Sequence, residues 1–276
     1  MKIILSLGEF VNWTDIQFRQ TYGTCLSTTV EKYAIVGYHY IGSISNMIKH
    51  ERIIRFSPEA FSEGGIRPSA LQYEFQEIGG EHAGSAGMGI AEMVADGHMW
   101  AVTKIRYVLH GDLAPDTDYH LVTYPRPKRG MLYQRDYQIF TADDAQLLCE
   151  GISQWCIMDF NSRRIIRVNK DFVGEFDTNK ILPEGFPRFR PDVLTPAGSY
   201  TITVSDLDGN NHTNNCRYAD MVELVLPTVS PADFTINFAR ETRLGDVIEL
   251  FTSVTPEGKT IVSGSIDGET VFSALV

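Results

Sequence analysis

No stretch of this chain comes near the eighteen consecutive apolar residues of a membrane span. The start, "MKIILSLGEF", holds only a short apolar run broken by Glu9, with no small-residue cleavage site. It does not read as an export signal, and a bacterial cytoplasm is the expectation. Cysteine is scarce: Cys25, Cys149, Cys156 and Cys216 are the four in 276 residues. Neither Cys-x-x-Cys nor zinc-finger spacing occurs, so reduced thiols are expected, with no disulfide framework and no structural zinc. Positive charge is short as well. The formal net charge is −11, which would repel phosphates and argues against nucleic-acid partners.

Apolar residues make up 43% of the chain, enough for a sizeable core. From Glu51 the pattern resolves into elements. "ERIIRFS" has the composition of a short strand. Next comes a helix in "SEGGIRPSALQYEFQEIGGEHAG", where Leu71, Phe75, Ile78 and His82 fall on one face and Ser69 is the expected N-cap. "MWAVTKIRYVLH", "DYHLVTYPRP", "MLYQRDYQIF" and "GISQWCIMDFNSRRIIRV" follow as strands separated by turn residues. "LPEGFPRFRPDVLTPAG" contains four prolines and reads as a linker.

The same order then returns. "GSYTITVS" is a strand, and "CRYADMVELVL" is a helix with Tyr218, Met221, Val222 and Val225 on one face. "DFTINFARE", "DVIELFTSVT", "TIVSGSI" and "ETVFSALV" are strands. The second copy lies about 147 residues after the first, so a duplicated α+β unit is expected, each an antiparallel sheet around a central helix. The resulting division is an N-terminal extension over 1–50, a first unit over 51–180, a linker over 181–197 and a second unit over 198–276.

"SDLDGNNHTNNCRYADM" crowds short polar side chains in front of the second helix. Such residues form turns, and Asn214 or Asn215 is a natural N-cap. A calcium loop begins well with Asp206, Asp208 and Asn210. It fails at Asn211, where the sharp turn needs glycine, and at Arg217, where a bidentate Glu is needed. A catalytic reading also has a basis. In extended backbone Asp208, Asn210 and His212 would share one face, next to a helix N-terminus that favours developing negative charge. A general base, hydrogen-bond donors and an oxyanion site are what acyl transfer to water requires.

"DLDGNNHTNNCRY" resembles the Asp-x-Asp-x-Asn-x-His-x-Asn-Asn-x-x-Tyr signature of the acyl-acyl carrier protein (acyl-ACP) thioesterases. "FARETRLGD" is similar to that family's Arg-Glu-x-x-x-Gly-Asp segment, and the likeness extends over about Arg52 to Val276. The resemblance implies an α+β double hotdog fold. It implies hydrolysis of acyl thioesters carried on the phosphopantetheine of acyl carrier protein, ending fatty-acid synthesis, with no cofactor and no metal. It implies a catalytic second unit and a first unit that serves the acyl pocket and is chemically inert. In the repeat register Phe61, Glu63 and Gly65 stand where the second unit has Asp208, Asn210 and His212. Asp208 is then the general base or the holder of the attacking water. Asn210 positions the water or polarises the carbonyl. His212 donates to the oxyanion or the leaving thiolate, and Glu241 orients the water-binding groups.

Many family members have Cys after that Glu. Thr242 stands here, which favours attack by water. Cys216 reads as packing, with a reactive thiolate as the lesser alternative. Arg126, Lys128 and Arg129, with Arg163, Arg164 and Arg167, read either as solvated turns or as a docking patch for an acidic carrier protein. Acyl-coenzyme A hydrolysis and a non-catalytic acyl-carrier-binding protein stay open as alternatives. Hotdog units pair sheet edges, which allows a homodimer.

Overall fold

The computed structural model describes residues 48–276, so the expectations for 1–47, Cys25 among them, lie outside the described residues. In chain order the strands are β1 (His50–Arg55), the short pair β2 (Phe61–Ser62) and β3 (Gly65–Ile66), β4 (His98–Leu109), β5 (Asp118–Pro125), β6 (Leu132–Thr141) and β7 (Leu147–Asp159). They continue with β8 (Thr195–Thr201), β9 (Asp233–Phe238), β10 (Val247–Val254), β11 (Thr260–Ile266) and β12 (Glu269–Leu275). The helices are α1 (Pro68–Ser85), α2 (Ile90–Ala95) and α3 (Asn215–Val225).

Ten strands form one sheet in the order β1-β5-β6-β7-β4-β9-β12-β11-β10-β8. Each half places its own five strands in the spatial sequence first-third-fourth-fifth-second. The second strands, β4 and β9, meet at the centre as an antiparallel pair from Lys104↔Asn237 to Val108↔Asp233. This is the duplicated α+β architecture expected from element order, and the two long helices begin about 147 residues apart.

Each long helix buries the face its periodicity marks. Leu71, Phe75, Ile78 and His82 of α1 are buried, as are Tyr218, Met221 and Val222 of α3. Fully burying side chains of this size contributes about 1.5–3 kcal/mol each. Phe75 stacks on Tyr137 of β6 at 4.3 Å between centroids. It lies so close to β7 that a Cβ on Gly151 would come within 2.5 Å of its ring, so glycine is required there.

Helix α1 starts differently from expectation. Arg67 occupies the N-cap and Pro68 the first turn, so Ser69 lies inside the helix. Proline suits that position because its missing N–H has no intrahelical partner to lose. In α3 the expected cap holds: the Asn214 side chain accepts the Cys216 N–H at 3.0 Å.

Further contacts lock the halves. Arg106 is buried and makes a bidentate pair with Asp233 at 2.9 and 3.0 Å. Arg67 pairs with Glu223 at 3.0 Å, and the Ser230 hydroxyl donates to the Ile66 carbonyl at 3.0 Å.

Candidate active site

The central pairing of β4 and β9 stops at Lys104 and Asn237. From there back to His98, β4 is hydrogen-bonded to β7 alone. Past the end of β9 the chain crosses Val271 of β12, to whose carbonyl Ala239 and Arg240 both donate. Glu241 follows immediately. The loop into α3 arrives at the same place, because the Thr213 N–H donates to the Thr242 carbonyl at 2.9 Å.

That contact sets the side-chain directions. Thr242 is fully buried. Its hydroxyl lies 2.7 Å from that of Thr213 and 2.9 Å from that of Tyr218 on α3. Neighbouring side chains on extended backbone point to opposite sides. With Thr213 and Thr242 turned inward, His212 and Glu241 emerge together, and His212 Nε2 lies 3.6 Å from Glu241 Oε1. Position 242 therefore faces the interior and presents no nucleophile.

Asp208 shapes the loop itself. Its Oδ1 accepts the N–H groups of Asn210 at 2.8 Å and His212 at 3.2 Å. The Asp208 N–H donates to the His212 carbonyl at 2.7 Å, and Asn211 takes a left-handed φ of 59°. The segment is a tight turn, as the residue types allow, and not the extended backbone on which the catalytic reading aligned Asp208, Asn210 and His212. A short carboxylate captures main-chain N–H groups two and four residues on, and that folds the chain. Asn210 is consequently exposed at the tip, while Asp208 and His212 are half-buried below it.

Electrostatics keep His212 uncharged. Burial first, then the cations Arg163 and Arg243, pull its pKa below the usual histidine value, against the opposing pull of Asp208. The imidazole is thus neutral at pH 7, able to donate one hydrogen bond and accept another.

Arg163 comes from the first half, in the turn after β7. Its Nη2 forms an ion pair with Glu241 Oε2, and its Nη1 is directed at Met99 Sδ. Nothing local marks it in the sequence, since an arginine in a polar turn reads as solvated. Arg126 is also engaged internally, in an ion pair with the buried Asp136 and a 2.6 Å bond to the Asp177 carbonyl. Lys128 donates to the carbonyls of Val168 and Lys170 at 3.0 and 2.9 Å. Arg129 and Arg164 remain exposed, as does Arg167. Cys216 is buried beside α1, and burial pushes its thiol up to about 12, far from a reactive thiolate.

Among the described residues, no helix is long and apolar enough to cross a membrane.

Residues 50–176 match the acyl-ACP thioesterase N-terminal domain, and residues 195–270 match the acyl-ACP thioesterase C-terminal domain. A chloroplastic acyl-acyl-carrier-protein hydrolase of Cuphea viscosissima is 26% identical over 228 residues, which cover 73% of this chain and 54% of that protein. The chain thus spans about half the length of the curated relatives it matches. Among solved structures, an acyl-ACP thioesterase from Bacteroides thetaiotaomicron aligns with a TM-score of 0.74 at 20% identity, covering 83% of this chain and 96% of that one. The 12:0-ACP thioesterase of Umbellularia californica aligns with a TM-score of 0.70 at 17% identity, covering 82% and 95%. These likenesses establish the double hotdog fold.

Proposed function

The chain belongs to the acyl-ACP thioesterase family, and from that membership we propose that it hydrolyses acyl-ACP thioesters to free fatty acid and the carrier thiol. The observation that supports this best is the convergence of Asp208, His212 and Glu241 on one end of the central strand pair. A carboxylate takes a proton from water as that water attacks the thioester carbonyl. The neutral His212 donates a hydrogen bond to the oxygen on which charge develops. The C–S bond breaks as the tetrahedral intermediate collapses, and the thiolate, whose conjugate thiol titrates at about 8.5, takes up the proton that the carboxylate removed from water.

Asp208 and Glu241 differ in what occupies them. One oxygen of Asp208 holds the turn, which leaves the other for water. Glu241 is shared between Arg163 and His212. This favours Asp208 as the base and Glu241 as the group that orients His212. Asn210 is exposed at the tip of the turn, with only its backbone N–H engaged by Asp208, and the expected role of positioning water or polarising the carbonyl is not carried into this reading.

In this reading residues 51–180 serve the acyl pocket, 181–194 link the halves and 195–276 carry the chemistry, the linker ending three residues earlier than expected because Thr195 and Pro196 already pair with β10. The carrier docks at Arg129, Arg164 and Arg167, the three cations of the expected patch that stay exposed. A homodimer through the β8 edge is disfavoured. Pro196 and the break in register between Leu250 and Phe251 blunt that edge. The test is hydrolysis of one acyl chain presented on acyl carrier protein, with Asp208→Asn as the inactive control.

A further inference from the structure

We propose that Arg163, a residue of the first half, is a positioning residue for the second half's site, holding Glu241 in place against His212. The proposal rests on the thioesterase reading above.

Three observations carry it. The first is the ion pair. Arg163 takes one carboxylate oxygen of Glu241, and the other oxygen faces His212 Nε2 at 3.6 Å. Arg243 is the other cation near Glu241, at 3.9 Å, and is much more exposed. Arg163 meets Glu241 through Nη2, with Nη1 directed at Met99 Sδ, and as the less exposed of the two cations it is the less screened by solvent and the better anchored.

The second is the backbone. Arg163 has φ 57°, in the left-handed region that side chains other than glycine and asparagine seldom adopt. The turn around it is well made: Asp159 accepts the Ser162 N–H at 2.7 Å, and the Arg163 N–H donates to the Asp159 carbonyl at 3.0 Å. Glycine would fit this position with less strain. An arginine kept at an unfavourable φ, with its head on a site residue, marks a side chain wanted for itself.

The third is the surroundings of His212. The charged groups facing it are Asp208 from its own loop, Glu241 and Arg243 from the segment after β9, and Arg163 from the turn after β7. Arg163 is the one among them that the first half supplies. It also helps hold the imidazole neutral. The first half is therefore not inert toward the chemistry, contrary to what the family resemblance implied.

The experiment compares Arg163→Gln and Arg163→Gly with the parent chain. Both variants should lose about tenfold or more in kcat, the loss of a single ion pair's worth of ordering. KM for the acyl carrier should stay within about twofold. Arg163→Gly relieves the backbone, so its thermal midpoint should equal or exceed the parent's. In a Glu241→Gln background, Arg163→Gln should have almost no further effect, because the two residues act as one unit.

The His212 imidazole, assigned among seven histidines by His212→Gln, should titrate at higher pH in Arg163→Gln than in the parent. That titration is read by NMR without turnover, so it decides the point even if the chain hydrolyses no thioester. A raised KM with kcat intact would make Arg163 a docking cation and overturn the proposal. So would an undiminished loss in the Glu241→Gln background, or an unmoved His212 titration.

Discussion

The hydroxyls of Thr213 and Thr242 lie 2.7 Å apart, although the two residues stand 29 positions from each other in the chain. Together with Tyr218 they make a buried knot of three hydroxyls. The knot ties the loop before α3 to the segment after β9, and the site residues His212 and Glu241 are its immediate neighbours.

Thr242→Val should therefore act on both stability and turnover. It removes the partner of a buried tyrosine hydroxyl, at a cost of about 1–3 kcal/mol. Glu241 loses its register with His212 in the same step. Thr242→Ser should retain most of both properties. Thr242→Cys would place its thiol in the interior, and its remaining turnover should resist a thiol-blocking reagent. Urea unfolding and initial rates on the three variants check these outcomes.

Asp208 carries two roles that substitutions can separate. Asp208→Asn keeps an oxygen able to accept the N–H groups of Asn210 and His212. The turn should survive with little change in thermal midpoint, while turnover falls at least about 10²-fold with the lost base. Asp208→Ala should lose turnover to a similar extent and also lower the midpoint. Equal rates for Asp208→Asn and the parent would remove Asp208 as the base.

Much of this was legible in the sequence. Buried faces of α1 and α3 follow from helical spacing, and the duplicated sheet from the repeated order of elements. The cap at Asn214 follows from residue type. What escaped depends on distant partners. Arg163 and Arg126 look alike in sequence, as basic residues in polar turns. Their pairing with Glu241 and Asp136 is created only when the sheet brings those turns and strands together. The turn at Asp208 was one of two readings left open, because alternating short polar residues fit a turn and extended backbone equally well, and the local capture of two N–H groups by Asp208 decides for the turn.

Arg126 and Arg129 should now behave oppositely. Arg126→Ala strands the buried Asp136 carboxylate without its cation and should cost about 3 kcal/mol of stability. Arg129→Ala and Arg164→Ala should leave unfolding unchanged. They should raise KM for an acyl carrier protein substrate, more so at low salt. Denaturation curves and the salt dependence of KM distinguish the two behaviours.

Acid should weaken the first half through His82. This imidazole is buried against Arg135, whose Nη1 donates to His82 Nδ1 at 3.0 Å. Burial, Arg135 and His50 pull its pKa down from 6.5 to about 4. The unfolded chain takes up the proton first, so stability is full above about pH 6.5 and declines toward pH 4. His82→Gln, which can still accept from Arg135, should flatten the stability curve across that interval.

The most direct measurement is turnover of one acyl chain offered on acyl carrier protein and on coenzyme A, in the parent and in Asp208→Asn. The account predicts kcat/KM at least about tenfold higher on the carrier protein, with both activities collapsing in the variant. Equal rates on the two carriers would contradict carrier recognition, and an undiminished rate in Asp208→Asn would contradict the assigned base.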